Sequence, residues 1–162
     1  MKGIVHQINI KHRVQGSRGL PKTSVDSAQI TKQGLDGDFN VYRHEILADE
    51  PDSAVLLMPL ETLRELNREG WPLVPGEIGE NITTLGIPYE IFEPGKRFAV
   101  GEAELTISRA CDPCNNLFLL PYVGREKGPT FIKVMLGRRG WYARVVKGGV
   151  IRRGDTIEPI DL

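Results

Sequence analysis

Cysteine is scarce in this sequence: two in 162 residues, both inside RACDPCNNL at positions 109–117. Two are too few for a framework argument in either direction and read as thiols with a task more than as a structural crosslink; a chain of this length buries roughly two-thirds of its unfolded surface and needs no disulfide staple. Histidine is nearly as rare. His6, His12 and His44 show no metal-ligand spacing, and one Cys-x-x-Cys without a second pair leaves a tetrahedral zinc site half built. No apolar run approaches the ~20 residues that span a bilayer, and the opening MKGIVHQINIKHRV lacks the apolar stretch of a signal peptide. A cytoplasmic chain with no membrane partner is expected. An excess of charge of either sign is also missing, with 21 basic residues against 21 acidic ones, so the molecule as a whole carries no attraction for nucleic acid. Aromatic residues make up 7%. Trp71 and Trp141 are too distant in sequence to read as a base-stacking platform, and Trp141 with Tyr142 in an alternating stretch reads as core.

Glycine and proline, by contrast, are plentiful. Eighteen and eleven of them fall in nearly every segment, a pattern of many short elements joined by turns that suits a mainly β sandwich or barrel. The first segment alternates with period two, placing Ile4, Ile8 and Ile10 on one face and Val5, Gln7 and Asn9 on the other. Further strands are expected at SVDSAQI, SAVLLM, RFAV, AELTIS, FIKVML, WYARVV and TIEPI, each bounded by Gly, Pro, Asn or Asp. One helix stands out in PLETLRELNREGW, where Leu60, Leu63 and Leu66 recur at helical spacing, Pro59 stands at the start and Gly70 at the stop. No internal repeat or linker divides the chain, so residues 1–162 read as a single domain. From Lys127 to Gly154 there are eight basic residues and no acidic one: either solvated strand faces or one wall of an anion pocket.

Three stretches are candidates for chemistry. PGEIGENITTLG, residues 75–86, lacks the Gly-Lys-Ser/Thr ending of a phosphate loop and the glycine spacing of a dinucleotide site. It is a tight turn whose Glu80, Asn81 and threonines either hold a polar ligand or bond their own loop. GLDGDFNVYRHE, residues 34–45, is a second turn, followed by Arg43 and His44. In the third, Cys111 and Cys114 admit three readings: a redox dithiol, a pair of inert buried thiols, or a single thiolate acting as persulfide carrier or as soft ligand to a thiophilic metal such as molybdenum. Asn115 to Pro121 reads as an apolar strand or loop, not the helix that follows a thioredoxin motif.

Four of these segments, in order, resemble the MOSC family, named for the C-terminal domain of molybdenum cofactor sulfurase. They are SVDSAQITKQGLDGDFNVYRHE, GEIGENITTLGI, the Pro113-Cys114 dipeptide shortly after a strand ending in IS, and RRGWYARVVKGGVIRRGDTIE; the resemblance is strongest over residues 20–158. It implies a closed β-barrel with a few short peripheral helices and a site for molybdenum cofactor. Cys114 then becomes the functional sulfur, as molybdenum ligand or persulfide carrier, with Cys111 an auxiliary thiol. The resemblance further implies that Glu80, Asn81, Thr83 and Thr84 border the cofactor pocket, with Arg43 and His44 nearby, while Arg138, Arg139 and Arg144 supply positive charge for the thiolate and the pterin phosphate. Implied activities are two-electron reduction of N-hydroxylated compounds or passage of sulfur to an acceptor. The alternatives are a metal-free persulfide carrier and a module that binds a small anion without chemistry. These 162 residues leave no room for an aminotransferase-like desulfurase domain, so no pyridoxal phosphate is expected on them; a desulfurase or a separate electron-transfer protein is the expected partner.

Overall fold

The computed structural model describes residues 1–16 and 18–161. Eleven strands and two α-helices follow in the order β1 (Gly3–Ile10), β2 (Thr23–Val25), β3 (Ser27–Thr31), β4 (Gly34–Leu35), β5 (Val55–Pro59), α1 (Leu60–Arg68), β6 (Ile82–Leu85), β7 (Arg97–Val100), β8 (Ala103–Ala110), α2 (Gly124–Met135), β9 (Trp141–Lys147), β10 (Gly149–Arg152) and β11 (Thr156–Ile160). Seven of the strands run β11-β7-β8-β9-β5-β6-β1, and pairing of β1 with β11, Gly3 opposite Ile157, closes them into a barrel. The mainly β, closed-barrel expectation is met. β2 adds to the sheet beside β1, and β10-β3-β4 form a small second sheet. Among the described residues no helix is long and apolar enough to cross a membrane.

Side chains at alternating positions fill the barrel. Val55 and Leu57 from β5, Phe98 and Val100 from β7, Leu105 and Ile107 from β8 and Ala143 and Val145 from β9 are all buried in one cluster, as period two requires when one face of each strand points inward. A buried side chain of this size contributes about 1.5–3 kcal/mol. The unbroken apolar run of β5 has a simple cause. Its alternate side chains face the barrel, while Met58 on the other side joins a second cluster made with Leu63 and Leu66 of α1 and Phe131 and Met135 of α2. β5 and β6 are parallel, a pairing that needs a crossover connection, and α1 supplies it.

Four expectations are corrected. FIKVML lies in α2 and its end: Phe131 and Met135, four apart, are buried on one helical face, and a short apolar run does not by its periodicity distinguish helix from strand. α2 packs tightly on a 3-10 turn at Asn115–Leu119, where a strand or loop was expected; a Cβ at Gly128 would meet the Phe118 ring at 2.2 Å. In β1 the register slips between Val5 and Gln7. This bulge exchanges the faces, so that Val5 is buried with Ile8 and Ile10 while Ile4 is 41% exposed. SVDSAQI, finally, is two strands broken at Asp26, one pairing with β1 and the other with β10.

Candidate functional site

The sulfur-bearing loop hangs from the end of the β8–β9 ladder. Arg109 pairs with Tyr142 and Ala110 with Trp141, and the Cys111 amide donates to the Gly140 carbonyl at 2.9 Å, carrying the pairing one residue further. Gly140 is required at this corner. Its φ is +108°, and a Cβ there would meet the Leu57 carbonyl oxygen at 2.6 Å. Next to it in the chain, Arg138 and Arg139 diverge. Arg138 turns outward into a two-pronged ion pair with Glu69, its Nη2 2.9 Å from Oε1. Arg139 turns inward and is 5% exposed.

Between the loop and the barrel wall lies a cavity of about 190 Å³, lined among others by Cys111, Cys114, Arg139, Arg109, Tyr142 and Tyr42. Both cysteines are free thiols, Cys111 buried and Cys114 half-buried. Cys114 also borders an outer groove with Arg18, Tyr42 and Asn116, so its sulfur stands where cavity and surface meet. Arg109 sits over the Tyr142 ring, 5.1 Å from its centroid, and is paired with Glu50. Arg139 has no such carboxylate partner among the described residues. Its Nη2 donates to the Ile78 carbonyl at 2.5 Å, while Nε and Nη1 are buried without a partner.

Burial of that kind raises the cost of a charge. Taken alone it would lower the Arg139 pKa, but Cys111, Tyr142, Cys114 and Glu80 act against it and leave the pKa raised, so the guanidinium stays charged. For Tyr142 burial pushes the phenol well above its usual value, and the adjoining Cys111 sulfur pushes it further. The cavity therefore combines two thiols, a neutral phenol and a fixed cation with spare donors. That arrangement suits an anionic ligand or a sulfur nucleophile.

The GEIGENITT turn does not line the cavity; it stands behind Arg139. Ile78 supplies the carbonyl that anchors the guanidinium. Glu80 is fully buried, with Oε1 accepting from the Gly76 amide at 2.8 Å, and burial carries its pKa up to about 7 against the pull of Arg139, Gly76 and Thr83. Asn81 accepts from the Leu56 amide at 3.0 Å and donates to Asp38 at 2.8 Å. Thr83 accepts from Asn9 at 3.2 Å, and the buried Thr84 hydroxyl has no partner. Asp38 in turn holds the buried Lys22 ammonium at 2.6 Å.

The other sequence-derived residues lie apart from the cavity lining. Arg43 donates to the Gln33 carbonyl at 2.7 Å, His44 pairs with Asp49 at 2.9 Å on the surface, and Arg144 pairs with Asp52 at 2.7 Å on another face. Of the three arginines expected to gather, one reaches the thiols. Sequence reasoning missed Arg109 and Tyr42, and took Tyr142 as core. The β8–β9 register sets Arg109 against Tyr142 beside the sulfurs, and Tyr42 reaches the same cavity from the separate helical turn at Tyr42–Ile46.

A family model for the MOSC domain matches residues 43–158, well over half of the sequence. The chain belongs to the MOSC domain family. That family is linked to molybdenum cofactor binding. The fold is similar to that of the YuaD protein from Bacillus subtilis, at 18% identity with a TM-score of 0.79 over 97% of this chain and 94% of that one. It is also similar to YiiM from Geobacillus stearothermophilus, at 25% identity and a TM-score of 0.73 over 98% and 75%, and to YiiM from Escherichia coli, at 22% and 0.69 over 100% and 71%. A search of curated protein sequences finds no match. Within a MOSC barrel, then, the two cysteines and Arg139 share one cavity.

Proposed function

We propose that this MOSC protein binds molybdenum cofactor at the cavity of Cys111, Cys114 and Arg139, with Cys114 as the thiol presented to the metal. The observation that carries this reading is the buried Arg139 guanidinium, charged and with Nε and Nη1 unpartnered, beside two free thiols. Such donors fit an anion, and thiolate is a soft donor suited to molybdenum. Among the described residues no group of three or more His, Cys, Asp or Glu side chains forms a metal cage, which fits a metal that arrives with ligands of its own. The cavity alone is small for a cofactor, but Cys114 opens it onto an outer groove of about 450 Å³, within the roughly 300–1,000 Å³ usual for ligand sites.

When bound, molybdenum supplies two-electron redox chemistry, and reduction of N-hydroxylated compounds is the reaction this reading favours. The chain's own residues hold and orient: Arg139 meets negative charge at the cavity's inner wall, Tyr142 stays protonated beside Cys111, and Cys114 stands at the opening. Electrons would come from a separate protein. The test is elemental. Protein expressed in a cofactor-producing host is expected to carry molybdenum and pterin, and Cys114→Ser to carry markedly less; a wild type devoid of both refutes the reading.

A metal-free persulfide carrier is the second reading, favoured by the half-buried position of Cys114 between cavity and groove. Exposure on one side lets a desulfurase deliver sulfur, and the cavity shelters it. Incubation with cysteine and a desulfurase, followed by mass spectrometry, separates this reading from the first: sulfur on Cys114 without bound molybdenum supports it, and no added sulfur removes it.

A further inference from the structure

We propose that Cys111 is a resolving thiol, which discharges sulfur carried on Cys114 and closes a Cys111–Cys114 disulfide inside the cavity. The inference rests on the reading of Cys114 as the reactive sulfur, and goes beyond it in giving the second thiol a task.

Position separates the two sulfurs by role. Cys114 borders both the cavity and the outer groove, so a sulfur donor reaches it from the surface. Cys111 is 6% exposed, lines the cavity and does not border the outer groove that Cys114 faces; a bulky donor does not reach it, but sulfur that Cys114 carries inward does. A second observation is independent of the cysteines. Arg139, 5% exposed with Nε and Nη1 unpartnered, lines the same cavity and acts electrostatically on both sulfurs, so a fixed positive charge lies beside the thiols, where negative charge develops on a sulfur being displaced. The loop between the thiols leaves room for the exchange. It has no regular structure from Cys111 to Cys114 and is tied at its ends, by the Cys111 amide to Gly140 and by the Cys114 carbonyl to the Leu117 amide, while Asp112 is exposed.

The step balances without an external oxidant. Cys111 Sγ attacks Cys114 Sγ of the persulfide, the bond from Cys114 to its outer sulfur breaks, and that sulfur departs as hydrogen sulfide with the Cys111 thiol proton. The Cys111 sulfur is oxidised from thiol to disulfide level, the Cys114 sulfur exchanges one S–S bond for another, and the outer sulfur is reduced to sulfide. A dithiol reductant of the thioredoxin class then returns the pair to thiols by exchange.

The test loads the purified full chain with inorganic polysulfide under anaerobic conditions, removes excess donor, and follows intact mass, peptide maps and released sulfide with time. The wild type is expected to lose its added sulfur as sulfide and to end two hydrogens lighter, with Cys111 linked to Cys114. Cys111→Ala and Cys111→Ser are expected to retain one added sulfur on Cys114 for at least tenfold longer. Retention in the wild type equal to that in both variants overturns the role of Cys111 while leaving Cys114 as the reactive sulfur. Failure of Cys114 to take sulfur in the Cys111 variants overturns both. Because the crosslink is read in the wild type itself, a variant that folds poorly does not shield the proposal.

Discussion

Arg139→Met removes the cavity's cation while keeping a side chain of similar length, and the structure sets the size of two opposite effects. For ligand binding the loss is large. A guanidinium that is 5% exposed with two unpartnered groups meets an anion without competition from water, and truncating one side of such a buried charged contact costs about 2–5 kcal/mol. That is roughly thirty-fold to a few thousand-fold in affinity. For folding the loss is small. Methionine forfeits the bond to the Ile78 carbonyl at 2.5 Å, about 1.5–3 kcal/mol for a charged donor, but it also removes a desolvated charge that has no carboxylate in ion-pair contact, and replacing buried charge by apolar volume is often neutral or better. The expected outcome is a protein whose urea unfolding in the absence of ligand lies within about 2 kcal/mol of wild type, yet which carries no molybdenum or pterin when made in a cofactor-producing host. Cofactor content equal to wild type would falsify the assignment of Arg139 to the site. Collapse of stability by about 5 kcal/mol or more would make it a structural residue instead.

Two further outcomes separate the site from its surroundings. Glu80 has a folded pKa near 7 against 4.5 in an unfolded chain; since the folded form binds the extra proton, its contribution favours the fold below pH 4.5 and is lost as pH rises to about 7, an effect on the order of 3 kcal/mol. Glu80→Gln is therefore expected to gain on wild type in urea unfolding between pH 5 and pH 7.5, and parallel pH profiles for the two proteins would count against the buried-acid assignment. Arg138→Ala and Arg144→Ala, which break exposed pairs with Glu69 and Asp52, are expected to change stability by less than about 1 kcal/mol each and to leave cofactor content unchanged; loss of cofactor in either would show that the cationic wall is wider than Arg139.

The barrel was largely readable because its strands alternate, and alternation follows directly from a pleated sheet with one face inside. Readability failed where a local rule was overridden by contacts distant in sequence. The β1 bulge lies where Val5 and Gln7 face β6, and α2, as a helix, places Phe131 and Met135 on one face inside the buried cluster that also holds Leu63 and Leu66. The same distinction divides the site. Cys111 and Cys114 were legible as a pair from spacing alone. Arg138, Arg139 and Arg144 looked equivalent, being three cations in one basic stretch, and nothing local says that the chain turns at Gly140 so that one guanidinium enters and its neighbour leaves.

The Glu-Asn-Ile-Thr-Thr turn shows why such a segment can mark a site without touching it. Glu80, Asn81 and Thr83 are spent on one another and on Asn9, Leu56, Asp38 and Gly76, and the preceding main-chain carbonyl of Ile78 fixes Arg139 from behind. A guanidinium with rotatable stem bonds would otherwise lose entropy on meeting a ligand, and an anchored one has lost it already. The turn therefore contributes pre-organisation, and a polar substitution within it acts on the cavity through the position of Arg139. Because Glu80 and Arg139 also interact electrostatically, the ionisation of Glu80 sets how much of the arginine's charge is felt by the sulfurs: a protonated Glu80 leaves the cation unopposed, and an ionised one partly cancels it. Anion affinity of the cavity is accordingly expected to weaken as pH rises through about 7, and Glu80→Gln to abolish that dependence.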